Sequence, residues 1–169
     1  MIPNRPYRLI LNRRHGTPGV VVLPDGGFRR ARAEIESWPG YERTPLVPLP
    51  DVAERARVGA VFYKDEGPRF GLGSFKALGG AYAVQKLLTT ELARRDVAPN
   101  ATAAALESGE HKAATQAITV TCATDGNHGR SVAWGAQRFG CRCVIYVHEG
   151  VSQGRRDAIA QYGAEIRVV

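Results

Sequence analysis

From residue 118 onward the chain alternates between two kinds of hydrophobic spacing, and this alternation limits the fold more than any other feature. Residues 118–123 read as a strand. Residues 127–139 set Val132, Ala136 and Phe139 on one helical face, and Gly140 follows where a helix-ending glycine belongs. Residues 143–147 read as a second strand. Residues 152–162 read as a helix capped by Ser152 and stopped by Gly163, and 166–169 begin a third strand. Strand-helix-strand-helix-strand predicts a parallel sheet with right-handed crossovers, so the fold class is α/β. A parallel sheet buries both faces. With no helix after the third strand, the sheet is expected to be incomplete and the chain truncated.

Upstream, residues 75–94 carry Ala77, Ala81, Val84, Leu88 and Leu92 at spacings of three or four, which predicts one amphipathic helix. Ser74 stands where its N-cap would be. Ala60-Val61-Phe62-Tyr63 reads as a short buried strand. Residues 1–57 read as irregular and rich in Pro and Gly. The prolines of Thr44-Pro45-Leu46-Val47-Pro48-Leu49-Pro50 make that stretch extended. Residues 96–117 give little beyond an alanine-rich, helix-compatible piece.

The net charge of +7 favours anionic ligands. The arginines are scattered in pairs without a long basic run or interleaved aromatics, so no nucleic-acid partner is expected. No apolar run approaches the roughly 20 residues that span a membrane, and residues 1–11 lack the apolar core of a signal peptide. Cys122, Cys141 and Cys143 cannot pair off fully, and Cys-x-Cys is neither a redox nor a zinc spacing. They are expected to be packed free thiols of a cytoplasmic protein.

Two stretches carry chemistry. Gly71-Leu72-Gly73-Ser74-Phe75-Lys76 puts a lysine in the first turn of a predicted helix. The positive end of a helix disfavours an ammonium there, and a neutral amine is what a Schiff base needs. The bland alternative is a solvated lysine on a glycine turn. A phosphate-binding P-loop would need Gly-Lys-Ser/Thr, and a dinucleotide fingerprint would need a third glycine where Lys76 stands; both fail. The second stretch, Thr124-Asp125-Gly126-Asn127-His128-Gly129, joins a predicted strand to a predicted helix. Ligands of open α/β sheets bind at such carboxyl ends, and the helix start offers N–H groups to an anion. The bland alternative is a turn with Asn127 as its cap and a packed His128. No second metal-type side chain stands at ligand spacing from His128, so no metal is expected.

Together these stretches resemble the fold-type II pyridoxal-phosphate enzymes. The serine-phenylalanine-lysine segment, the glycine-asparagine-histidine loop and the early Thr44-Pro45-Leu46 carry that likeness. A finer likeness is to the diaminopropionate ammonia-lyases. It rests on Lys64-Asp65-Glu66, Arg69-Phe70-Gly71-Leu72, Leu78-Gly79-Gly80, Thr124 to Trp134, Val144-Ile145-Tyr146-Val147 and Gly163-Ala164-Glu165. The resemblance implies pyridoxal 5'-phosphate as cofactor and the parallel three-layer sheet of that fold type, incomplete here. It implies that residues 1–75 open the large domain. Residues 76–169 then hold the lysine helix and most of the small α/β domain, and the C-terminal remainder of the large domain is absent.

It further implies that Lys76 carries the cofactor and later handles protons, with Phe75 beside the ring and Asn127 on the ring hydroxyl oxygen. Thr124, Asp125 and His128 lie where the substrate carboxylate is held, and Asp125 is a candidate base for one substrate enantiomer. The reaction implied is α,β-elimination of 2,3-diaminopropionate, a small amino-acid substrate, to pyruvate and two ammonia, in a homodimer. The downstream glycine-rich phosphate loop and the partner of the pyridine nitrogen are expected but not present, so this chain alone is expected to be inactive. Two alternatives stand beside this reading. One is a threonine or serine dehydratase, against which Asp125 argues. The other is a non-catalytic α/β unit binding an anion or a partner chain.

Overall fold

The computed structural model describes residues 10, 11, 13 and 24–169. The expectations for residues 1–23 therefore fall almost wholly outside the described residues. The expected α/β alternation is present. Strands β3 (Thr119–Ala123), β4 (Arg142–Val147) and β5 (Glu165–Val168) form a parallel sheet in sequence order. Val120 is level with Cys143 and Ile145 with Ile166.

Helices α6 (Asn127–Phe139) and α7 (Gln153–Ala160) make the two crossovers. Right-handed crossovers running in one direction place both helices on the same face of the sheet. Val120, Cys143, Ile145 and Val147 are buried under them, while Thr119, Thr121 and Arg142 stay exposed on the other face. The strands therefore alternate, where burial of both faces was expected. Ser152 makes no side-chain cap to α7, and the chain leaves that helix through Gly163 at φ +78°.

Helix α3 (Lys76–Arg94) is the predicted lysine helix, and its stripe of Ala77, Ala81, Val84, Leu88 and Leu92 is buried. It packs on α6 with almost no side-chain spacing. A Cβ added to Gly80 would meet the Oγ of Ser131 at 1.9 Å, and one added to Gly135 would meet the Cα of Ala81 at 2.7 Å. Glycines at these two points let the helix backbones approach where side chains would hold them apart. The order through the molecule is sheet, then α6, then α3.

Several N-terminal expectations are corrected. Residues 1–57 are not uniformly irregular, because α1 (Asp25–Glu36) and α2 (Pro50–Ala56) are helices. Pro24 precedes the first helix and Pro50 occupies the first turn of the second. A proline there loses no helical hydrogen bond and already has a helical φ, so it starts these helices. The extended reading does hold for β1 (Leu46–Pro48), which pairs antiparallel with β2 (Phe62–Lys64). β2 is exposed, not buried: Phe62 and Tyr63 lie in the open because no layer of described residues covers this short hairpin. The connection after α3 holds two short helices, α4 (Ala103–Glu107) and α5 (Lys112–Thr115).

An aromatic cluster joins the N-terminal part to α6. Trp38 is buried against Phe70, Trp134 and Phe139, with ring centroids 5.6–6.4 Å away. The Arg138 guanidinium lies 5.1 Å from the Trp134 ring centre and pairs with Glu107 at 2.7 Å. The three thiols are free, as expected. Burial pushes Cys141 up to about 11 and Cys143 up to about 12, so they pack as small apolar groups and are poor nucleophiles.

Candidate functional site

The contacts between α3 and α6 fix where the two chemical stretches lie. Gly80 touches Ser131, and Ala81 and Val84 touch Gly135. Residue numbers rise together along the contact, so the helices run in the same sense and begin at the same end. Lys76 is one turn before Gly80, and Asn127 is one turn before Ser131. The two stretches, far apart in sequence, therefore open side by side.

At that end Lys76, Phe75, Asp125, Asn127 and His128 are exposed. The Lys76 Nζ lies 5.3 Å from the centre of the Phe75 ring, which is itself 58% exposed. Among the described residues Lys76 Nζ makes no hydrogen bond or ion pair. The amine is open to a ligand, and an aromatic surface stands beside it. Ser74 is not the N-cap of α3: Phe75 holds that position and no side chain caps the helix. Gly71 and Gly73 have φ of +70° and +68°. They are needed for the turn into the helix, in addition to any close approach of a ligand.

The other loop is closed by Thr124. Its Oγ1 accepts hydrogen bonds from the N–H groups of Gly126 at 3.2 Å and Gly129 at 3.1 Å. Thr124 therefore performs the capping task that the bland alternative gave to Asn127, and Gly126 is the cap position by backbone. A hydroxyl has two acceptor sites and one donor. With both acceptors used, the Thr124 hydrogen remains free to donate. The Asn127 and His128 N–H groups meet no acceptor among the described residues, so the loop offers several donors to an anion. The His128 carbonyl accepts from Ser131 Oγ at 2.8 Å, while its imidazole stays exposed. Gly129 leaves no room for a side chain, since its Cβ would lie 2.3 Å from Thr124 Cγ2.

Two supporting residues escaped the reading of the sequence. Arg69 is only 6% exposed and gathers the N-terminal segment. It donates to both Glu66 carboxylate oxygens at 2.9 and 3.1 Å, to the Glu42 carbonyl at 2.7 Å and to Thr44 Oγ1 at 3.0 Å. Thr44 in turn donates to Glu66, and Lys64 Nζ donates to the Thr44 carbonyl at 2.7 Å. The Arg69 hydrogen bonds hold the Glu66 carboxyl down to about 2. Only the three-residue spacing of Glu66 and Arg69 hinted at this knot. The other residue is Arg130, whose Nη1 donates to the Leu72 carbonyl at 2.9 Å.

The donor set fits a pyridoxal-phosphate cofactor. A primary amine stands ready for its aldehyde, an aromatic ring for its face, and amide and N–H donors for its phenolic oxygen and a substrate carboxylate.

Comparison with known proteins agrees with this chemistry. The profile of a family described as "Pyridoxal-phosphate dependent enzyme" matches residues 37–169. A diaminopropionate ammonia-lyase of Salmonella typhimurium is 38% identical over 157 residues, covering 92% of this chain and 38% of the relative. One from Escherichia coli is 45% identical over 137 residues, covering 80% and 32%. The crystal structure of the Escherichia coli lyase in complex with an aminoacrylate-PLP azomethine reaction intermediate superposes with a TM-score of 0.70 at 36% identity, over 89% of this chain and 35% of that one. This chain thus spans 38% and 32% of the length of the two curated relatives. It belongs to the pyridoxal-phosphate dependent enzyme family.

Proposed function

We propose that this chain is the lysine-bearing part of an ammonia-lyase that converts 2,3-diaminopropionate and water to pyruvate and two ammonia. The observation that carries this reading is the common end of α3 and α6, where the exposed Lys76 and the exposed Asn127 loop open side by side. The likeness to two diaminopropionate ammonia-lyases supports diaminopropionate as the substrate.

Pyridoxal phosphate, when bound, supplies the electron sink that makes the substrate Cα proton acidic. Lys76 is the group to hold it covalently, and the freed amine can then move a proton at Cα. Phe75 would stand beside the ring, and the Asn127 amide would donate to the ring hydroxyl oxygen. Thr124, His128 and the loop N–H groups hold the substrate carboxylate, and the Asp125 carboxylate is a second acceptor for the Cα proton. Residues 1–75 open the large domain and 76–169 provide the lysine helix and the small α/β domain. The three free thiols accord with a reducing cytoplasm. Exposed Leu46, Phe62 and Tyr63 supply apolar surface for the homodimer of this reading. Among the described residues no helix is long and apolar enough to cross a membrane.

Borohydride trapping with the cofactor tests the lysine. Wild-type chain is expected to carry the adduct on Lys76 and Lys76→Ala to lose it; labelling spread evenly over surface lysines would refute the assignment. In a complete lyase carrying this segment, Asp125→Asn is expected to lose activity on one diaminopropionate enantiomer far more than on the other. Equal loss on both would remove Asp125 as a base. Faster 2-oxo-acid release from serine or threonine than from diaminopropionate would favour the dehydratase alternative.

A further inference from the structure

We propose that Arg130 is a positioning residue for Lys76, setting the lysine's place relative to the Asn127 loop through the backbone of Leu72. This inference rests on the reading of Lys76 as the cofactor-bearing lysine.

The lysine amine has no fixed partner among the described residues, so its position follows from the chain that leads into α3. That lead-in is a glycine turn, with Gly71 and Gly73 at positive φ. Such a segment has wide conformational freedom unless something outside it holds it. Two anchors exist. The Leu72 side chain is buried at 2% exposure, and the Leu72 carbonyl accepts from Arg130 Nη1 at 2.9 Å. Arg130 also fills the space beside Gly73, where an added Cβ would lie 3.8 Å from the same Nη1.

The other end of this link is the first turn of α6. Arg130, three residues beyond Asn127, donates its backbone N–H to the Gly126 carbonyl at 3.0 Å. A third hold comes from the turn after α7. Arg130 Nη2 reaches the Tyr162 hydroxyl at 3.4 Å, and its guanidinium carbon lies 5.8 Å from the centre of the Tyr162 ring. One planar fork thus meets the lysine loop and the α7 turn together, while its own backbone belongs to the asparagine helix. A lysine ammonium is a point donor and cannot span two such partners in fixed geometry.

Arg130 Nε is buried without a partner among the described residues. A buried donor without a partner lowers stability, so this side chain is a poor stability device taken alone. What it achieves is the fixed height of the Leu72 carbonyl, four residues before Lys76, above the turn that carries Asn127.

The test compares the wild-type chain with Arg130→Met, first without cofactor. Amide exchange over residues 71–76 is expected to rise about tenfold while exchange at Leu88 and Leu92 stays unchanged. With cofactor and borohydride, the share of adduct on Lys76 relative to other lysines is expected to fall several-fold. Arg130→Lys, the conservative variant, is expected to restore part of both and to decide the matter if Arg130→Met does not fold. Unchanged exchange at 71–76, or a rise shared equally by the α3 interior, would overturn the proposal. Failure of the wild-type chain to trap cofactor on Lys76 would instead overturn the lysine assignment, and the exchange result would still judge whether Arg130 holds the loop.

Discussion

The α3–α6 pair is two different materials along its length. Its middle is closed: Gly80, Ala81, Ser131 and Gly135 bring the helix backbones together, with Ala81 and Ser131 fully buried. Its N-terminal end is open: Lys76, Phe75, Asn127 and His128 are exposed. The closed part fixes geometry and the open part offers functional groups. A loop can hold reactive side chains in place when the scaffold beneath it does not deform.

The closed part is the most sensitive to substitution. Gly135→Val forces a branched side chain against the Ala81 backbone. It is expected to destabilise the chain by about 3 kcal/mol, seen as a lower urea midpoint. A loss below about 0.5 kcal/mol, within the range of ordinary surface substitutions, would mean that the pair can slide and that the Lys76–Asn127 level is not fixed.

The second prediction concerns the knot that holds the N-terminal segment. Glu66 titrates at about 2 in the folded chain, below the ordinary 4.5, because Arg69 donates to it. A lowered folded value means that the stabilisation is complete above the ordinary value and is lost as pH falls toward about 2. Glu66→Gln is expected to cost about 2 kcal/mol at neutral pH and to flatten the acid limb of the stability profile between those two values. An unchanged limb would assign the acid sensitivity to other carboxylates.

A smaller effect is expected where scaffold meets chemistry. Thr124→Val removes the acceptor of two loop N–H groups and should cost about 1 kcal/mol, with faster amide exchange at Gly126 and Gly129. The smallest sharpens the contrast most. Lys76→Ala is expected to change stability by less than about 0.5 kcal/mol, since the side chain is exposed, while abolishing cofactor trapping. A large stability change at Lys76 would show that the open end also supports the fold.

Much of this was legible in the residues. The stripe on α3 and the strand-helix alternation after residue 118 follow from hydrophobic spacing, which burial enforces directly. The helices α1 and α2 were not legible, because a proline that breaks a helix in its interior also starts one at its first turn, and composition does not distinguish the two positions. The exposure of β2 was hidden for a related reason: Ala60-Val61-Phe62-Tyr63 looks the same whether or not a layer covers it. Thr124 was named for the substrate, yet its hydroxyl acceptors turn inward to the loop's own N–H groups, a role that depends on loop geometry.

By itself the sequence determined the α3 helix and the strand-helix alternation after residue 118, singled out one lysine and one asparagine loop as candidates, and showed which family they resemble. These depend on local spacing and on residue type. The tertiary structure decided that the two stretches share one end of one helix pair, that Arg69 gathers the N-terminal segment and that Arg130 spans to Leu72. Those facts depend on the register of α3 against α6. That register is set where Gly80 meets Ser131 and Gly135 meets Ala81, through close contacts between residues distant in sequence, which no local pattern records.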